Sequence, residues 1–338
     1  MTSRRWVVLS DGARPTEDIY FMRSVAPWLR TQGAQVQRVD TRRWPSALCS
    51  RWLHGAHVLV CRSLSLPWIA ALERRRGQWA SLRYLIDDDI PAAVGNAQLP
   101  ATYRERMRNI AEHQQPRLLA LVDEVVVCSG LLAERFQARH ESVSVLTPPL
   151  IAPLPPLAHF ADSPWCVGCH GTRVHLPDLE QIAPAITAIH EHHADLSFEI
   201  MLGRHTPSTL AALPGVATPP PLPWGKFRRY QRKRRIHIGL SPLWPTAFNA
   251  GKSFIKLLDI AAMGGVGIYS NRAPYAEIIT HGEDGLLAGD SPGEWQACLE
   301  RLLDDPAETR HMAERAAEKA RELGDPQRAQ AFWRARSL

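Results

Sequence analysis

The run from Ser241 to Asp290, SPLWPTAFNAGKSFIKLLDIAAMGGVGIYSNRAPYAEIITHGEDGLLAGD, decides the fold. The apolar residues Ile236 to Leu240 lead into it and read as a strand. Within it, a helix is predicted from Lys252 to Met263, stopped by Gly264-Gly265. A strand Val266 to Tyr269, a short helix near Pro274 to Thr280 and a strand Leu286 to Ala288 follow. Short strands alternating with helices call for a parallel sheet covered on both faces. Ligands of such sheets bind beyond the carboxyl ends of the strands, so the polar residues after each strand matter most. Here Asn249-Ala250-Gly251 leads to Lys252-Ser253 at the predicted helix start. Unpaired N–H groups and a partial positive charge at such a terminus suit a phosphate. Lys256 comes one turn later, and Asp259 on the same side can accept hydrogen bonds from ribose hydroxyls. Two lysines at this spacing are by themselves an ordinary surface pair; the whole segment is what argues for a ligand.

The same alternation extends upstream. Trp165 to Cys169 reads as a strand, and His170-Gly171-Thr172-Arg173 as a turn. Asp178 to His193 carries Leu179, Ile182, Ala183, Ile186 and Ile189 on one helical stripe. Phe198 to Leu202 is a further strand, and the prolines Pro219 to Pro223 precede a basic helix. The first half repeats this grammar, with strands at Trp6–Leu9, Val36–Val39, Val58–Cys61, Tyr84–Ile86 and Val125–Cys128. Helical spacing appears at Ile19–Leu29 and Arg104–Val122. Between the halves, Thr147 to Pro164 holds Pro148, Pro149, Pro153, Pro155, Pro156 and Pro164, which exclude a helix or central strand. The expected division is therefore a first α/β domain over 1–150, a Pro-rich linker over 151–164 and a second α/β domain over 165–325. A last helix over 326–338 is expected to pack back onto the first domain.

The chain has 338 residues, 45% of them hydrophobic, enough for two cores. No apolar run approaches the roughly 20 residues of a membrane span, and the first apolar run is too short for an export signal. A cytoplasmic protein is expected, and scattered Cys49, Cys61, Cys128, Cys166, Cys169 and Cys298 then read as reduced thiols. The net charge of +6 points to anionic partners. It concentrates in Arg74–Arg76 and Lys226–Arg235; the second cluster suits contact with an anionic membrane face or a lipid-linked acceptor. Aromatics for base stacking are sparse there, which argues against nucleic acid.

The fifty-residue run resembles the donor-binding region of GT-B glycosyltransferases of the family-4, "group 1" type. The matching elements are Ser241-Pro242-Leu243, Asn249 to Ser253, Lys256 to Asp259 and Ala262-Met263-Gly264, then Ser270, Pro274 to Glu277, and Gly282 to Leu287. The resemblance implies two Rossmann-like domains with parallel sheets facing across a cleft. It implies a nucleotide-sugar substrate, no metal or other cofactor, and retention at the anomeric carbon. Transfer to a glycan or lipid-linked acceptor, in cell-surface polysaccharide or lipopolysaccharide synthesis, goes with it. Donor-binding candidates are Gly171, Thr172, Arg173, Asn249, Lys252, Ser253, Lys256 and Asp259; Asp11 and Gly12 form a candidate acceptor or phosphate loop. Asp87-Asp88-Asp89 closes a strand facing the expected cleft, and Asp88 and Asp89 are the catalytic candidates. One departure concerns Gly251, eight positions before Asp259, where many members carry a Glu tied to the donor sugar. It keeps open the alternative of a non-catalytic nucleotide- or sugar-binding protein.

Cys166-Val167-Gly168-Cys169-His170 also fits a haem-attachment pattern, but the same residues fill a strand and turn that the sheet needs. His170 and His175 flank Gly171 and read first as structural histidines that are also within reach of a phosphate or sugar.

Overall fold

The computed structural model describes residues 5–193 and 195–337, without the side chains of Cys49 and Ser50. The expectation for the Cys49 thiol therefore lies outside the described residues. Two six-stranded sheets organise the chain. The first contains β1 (Arg5–Ser10), β2 (Gln35–Asp40), β3 (His57–Cys61), β4 (Ser81–Ile86), β5 (Glu124–Val127) and β6 (Val143–Val145). The second contains β7 (Cys166–His170), β8 (Ser197–Met201), β9 (Val216–Ala217), β10 (Ile238–Ser241), β11 (Val266–Ser270) and β12 (Leu286–Ala288). Their orders are β2-β1-β3-β4-β5-β6 and β12-β11-β10-β7-β8-β9. Every pairing within them is parallel.

Parallel strands are buried on both faces, which is why the central ones read as unbroken apolar runs. Trp6 to Leu9, Val58 to Cys61 and Val125 to Val127 are fully buried. Edge strands β6 and β9 carry no such run, and the periodicity of the sequence does not reveal them.

The helices differ from their predicted bounds in one informative way. The stretch predicted over Ile19–Leu29 is broken: a helix Arg14–Glu17 runs into a wide turn, Asp18–Met22, and a new helix starts at Ala26. The wide turn is closed by the Arg23 N–H on the Asp18 carbonyl, five residues back, at 3.0 Å. Such an inserted residue re-aims a side chain, and here Tyr20 is turned inward to full burial. The predicted helix over Arg104–Val122 contains a similar turn at Ile110–Gln114.

The chain returns to its beginning at the end. The helix Pro326–Arg334 buries Trp333 in the first core, edge-on to Trp6 and Phe21 at centroid distances of 5.6 and 5.2 Å. Its indole N–H donates to the Tyr20 carbonyl at 3.0 Å. Arg336 clasps Glu124 at 2.5 Å, so the last turn is fixed by charge as well as by burial. Among the described residues no helix is long and apolar enough to cross a membrane.

Candidate active site

The carboxyl ends of both sheets enclose a cavity of about 330 Å³. Its first-domain wall is Pro15, Ile19, Tyr20, Asp87 and Asp88. Its second-domain wall comes from the turn after β7 (Gly171, Thr172, His175) and from Lys252, Ser253, Lys256 and Asp259. A third part is apolar: Met201, Leu202, Pro221, Leu222, Trp224 and Phe227.

Lys252 and Ser253 stand just outside the helix predicted to begin with them. That helix runs Ile255–Ala262, and a separate turn, Ala247–Ala250, capped by Thr246, precedes it. The break moves Lys252 toward the first domain, where its ammonium pairs with Asp88 at 2.5 Å and lies 4.1 Å from the Phe248 ring centroid. Asp88 also receives Arg62 at 2.6 Å. Burial alone raises a carboxyl, but the charges of Arg62 and Lys252 outweigh it and hold Asp88 below the usual carboxylate range. Burial likewise opposes the Lys252 charge, and Asp88 more than restores it.

Asp87 behaves oppositely. It accepts from the Thr16 hydroxyl at 2.7 Å, while Arg62 reaches it only at 3.5 Å. Burial first, then the adjacent charge of Asp88, pushes the Asp87 carboxyl up despite Arg62. Its Oδ1 is buried without a hydrogen-bond partner. Two neighbouring carboxylates thus differ in readiness to take a proton, an arrangement common at reacting centres. Arg62 is the one non-glycine among the described residues with a positive φ, 62°, and its carbonyl receives the Tyr84 hydroxyl at 2.6 Å. No sequence pattern marks it.

Asp89 turns away from the cavity. It caps the helix Ile90–Gly95 through the Ala92 N–H at 2.9 Å and pairs with Arg135. Asn249 is buried against Asp178 and the Trp244 carbonyl, at 2.8 and 3.0 Å. Arg173 is exposed on a short turn, and Asp11 accepts from Ser63 at 3.2 Å beside the left-handed Gly12. The cavity therefore brings together Asp88, Gly171, Thr172, Lys252, Ser253, Lys256 and Asp259, and its lining does not include Asp11, Gly12, Asp89, Arg173 or Asn249.

Lys256 donates to the His170 carbonyl at 2.6 Å and lies 3.7 Å from Asp259, which also accepts from Gln231 at 2.8 Å. The helix Trp224–Lys233 turns Trp224 and Phe227 to the cavity, their rings near parallel at 6.1 Å. The Trp224 indole crosses to Asp18 of the first domain at 2.8 Å. Gly251 is pressed against that domain as well. Its carbonyl receives the Ser129 hydroxyl at 3.1 Å, and a Cβ there would lie 3.1 Å from Asp89 and 3.2 Å from Leu132. No side chain fits without displacement where the resembling family carries its Glu.

Cys166 and Cys169 are free thiols of β7. Cys166 meets the Arg234 guanidinium, and His170 is bound at 2.6 Å to Glu199, so the haem-like pattern is spent on the sheet and its neighbours. Among the described residues no group of three or more His, Cys, Asp or Glu is placed to hold a metal ion.

No protein-family model and no curated protein sequence matches the chain. Solved structures do. A sucrose-phosphate synthase from Thermosynechococcus elongatus superposes with a TM-score of 0.69 at 12% identity, covering 98% of each chain. A glycosyltransferase from Rickettsia africae gives 0.63 at 9% identity, covering 100% of this chain and 98% of its own. Anabaena HepE, solved with UDP-glucose, gives 0.59 at 14% identity, covering 99% of this chain and all of the other. The likeness runs the whole length of both partners, across both sheets and the cleft between them: the chain has the GT-B fold.

Proposed function

We propose that this protein is a glycosyltransferase that takes a sugar from a nucleotide-sugar donor. The observation that carries the reading is the division of the cavity into a cationic and an apolar part within one domain. Lys252, Ser253 and Lys256 suit a diphosphate, and Asp259 suits a ribose. Leu202, Pro221, Leu222 and Trp224 offer flat apolar surface to a base. The neighbour bound to UDP-glucose has the same fold, which supports the class of donor. Catalysis needs charge to stabilise the departing diphosphate, a positioned acceptor and exclusion of water. The lysines serve the first. The Asp87–Asp88 wall faces the acceptor side and serves the second, with Asp87, whose Oδ1 has no hydrogen-bond partner, as the carboxylate assigned to an acceptor hydroxyl. Cross-cleft contacts such as Trp224 to Asp18 serve the third.

The finer reading is retention of configuration, no metal or other cofactor, and a glycan or lipid-linked acceptor of cell-surface polysaccharide or lipopolysaccharide synthesis. Work at the inner face of a membrane fits two surfaces. The helix Trp224–Lys233 exposes Lys226, Arg229, Arg232 and Lys233, and the first domain exposes Trp44, Leu48 and Leu66 beside Arg42 and Arg43. The crowded Gly251 favours one competing reading, a binder without transferase activity. A panel of nucleotide sugars tested for thermal shift, hydrolysis and transfer separates the two. Stabilisation with turnover supports the enzyme, stabilisation without any turnover supports the binder, and no stabilisation by any donor refutes both.

A further inference from the structure

His175 lies in the turn after β7 and lines the cavity. Its Nδ1 is 3.0 Å from Asp178, a carboxylate only 3% exposed. The other oxygen of Asp178 is occupied by the Trp244 N–H and the Asn249 amide, each at 2.8 Å. A carboxylate held at two points on its far oxygen fixes the ring it faces. It also fixes the tautomer: Nδ1 carries the proton toward Asp178, and Nε2 is left with a lone pair. Among the described residues Nε2 makes no hydrogen bond, although the side chain is 25% exposed to the cavity.

The charges around the ring act in both directions. Burial first keeps it neutral; Asp178 favours the cation, while Lys252 and Lys256 oppose it. Asp88, across the cleft, is also within electrostatic reach. Arg173, in the same turn, is exposed. A neutral ring beside two lysines is therefore one charge short of its capacity, and a bound dianion reverses the balance that keeps it neutral.

We propose that His175 is a proton-linked diphosphate ligand: it takes up a proton as the donor binds and donates Nε2–H to a phosphate oxygen, with Asp178 as its positioning residue. The inference rests on the donor reading above. It explains why the polar tie of Asn249 ends on Asp178 rather than in the cavity: the amide holds the carboxylate that holds the ring. It also gives the turn a cation on demand where Arg173 points to solvent. A charge that forms only with the ligand leaves the empty site less repulsive, at the cost of affinity in alkali.

Nucleotide sugars have no phosphate ionisation between pH 6 and 8, so any proton taken up in that range comes to the protein. The test is calorimetric titration with UDP-glucose, GDP-mannose, ADP-glucose and dTDP-rhamnose at pH 6, 7 and 8, in buffers of different ionisation enthalpy. For whichever donor binds, the wild type is expected to take up a proton and to bind about tenfold more tightly at pH 6 than at pH 8. His175→Gln, checked for an unchanged melting transition, is expected to bind at both pH values as the wild type does at pH 8. Wild-type binding without proton uptake overturns the inference and needs no variant. A His175→Gln protein that keeps the pH dependence overturns it too. If no donor of the panel binds, the donor reading itself fails.

Discussion

On the first-domain wall of the cleft, the central strands end in carboxylates already engaged by the protein. On the second-domain wall, the turns and helices that follow the strands carry lysines, hydroxyls and aromatic rings. Asp88 is pinned between Arg62 and Lys252, and Asp87 is tethered by Thr16. Trp224, Phe227 and Ser253 line the same cavity from the other side. A charged bond across the gap, Lys252 to Asp88, joins the lysine that the proposed function gives to a diphosphate to a carboxylate that would compete for it. On the proposed function the two walls divide the work, and substitutions on them should have opposite signatures.

The largest effect is expected at that bond. Lys252→Ala removes a cation that the proposed function assigns to the departing diphosphate, and loss of one such stabilising donor costs about 10²–10³-fold in rate. Donor affinity should fall with it. Asp88→Asn frees Lys252, so donor affinity should hold or rise while transfer falls. Calorimetry and a transfer assay on both variants check the pair; an equal loss of donor binding in both would show that the walls do not divide the work.

Asp87→Asn is the next test. A carboxylate acting as a base in the transition state contributes about 10²–10⁴-fold, and a loss near the lower end is expected because Asp88 stays beside it. The signature is a fall in kcat with an unchanged donor KM. Burial raises the Asp87 carboxyl, so the wild-type rate should fall in acid at a higher pH than an ordinary Asp would impose. If the acid limb of the rate profile survives in Asp87→Asn, another group is the base.

A smaller effect separates the two domains by stability. His237, just before β10, stacks on Trp165 at 4.8 Å. Its Nδ1 accepts from the Cys166 N–H and its Nε2 donates to the His159 carbonyl, each at 2.9 Å. Only the neutral ring can do both. Burial lowers it from 6.5 to about 4. The unfolded chain therefore binds this proton first as pH falls, so this ring's contribution to stability declines from about pH 6.5 down to pH 4 and changes no further below. With the ring's residual solvent contact discounted, the loss is on the order of 2 kcal/mol. Urea melts at pH 7 and pH 4 measure it, and His237→Phe, less stable at pH 7, should lose less on acidification. A parallel acid loss in that variant would assign the decline to other groups.

How far these walls were legible in the sequence depends on what kind of residue makes them. Lys252, Lys256 and Asp259 stand out because a helix, a strand and a glycine stop bracket them in a recognisable order. The buried central strands were legible because parallel strands are apolar on both faces. Asp89 is ambiguous in sequence because a strand-end carboxylate that caps the next helix looks the same, in one dimension, as one that faces a ligand. Arg62 is invisible in sequence, since neither a positive φ nor a pair of acids at the end of the neighbouring strand leaves a local trace. The broken helix at Asp18–Met22 was hidden for a related reason. A one-residue insertion leaves the apolar spacing almost intact while it turns Tyr20 toward the cleft.

The smallest expected effect is at Gly251, the point where the second wall touches the first. An added Cβ meets Asp89 and Leu132 at 3.1 and 3.2 Å, so each neighbour must give by a few tenths of an ångström. Such mild overpacking costs about 1 kcal/mol. The Ser129 bond to the Gly251 carbonyl resists the adjustment, and the strain falls on closure of the cleft rather than on either core. Gly251→Ala is therefore expected to keep donor binding and lower transfer about fivefold. Gly251→Glu introduces the side chain of the resembling family but has no room, so it should hold the domains apart. Small-angle scattering would read this as a larger radius of gyration. A Gly251→Glu protein that stays compact and binds donor more tightly would mean the position faces the sugar, and the contact between the walls would have to lie elsewhere.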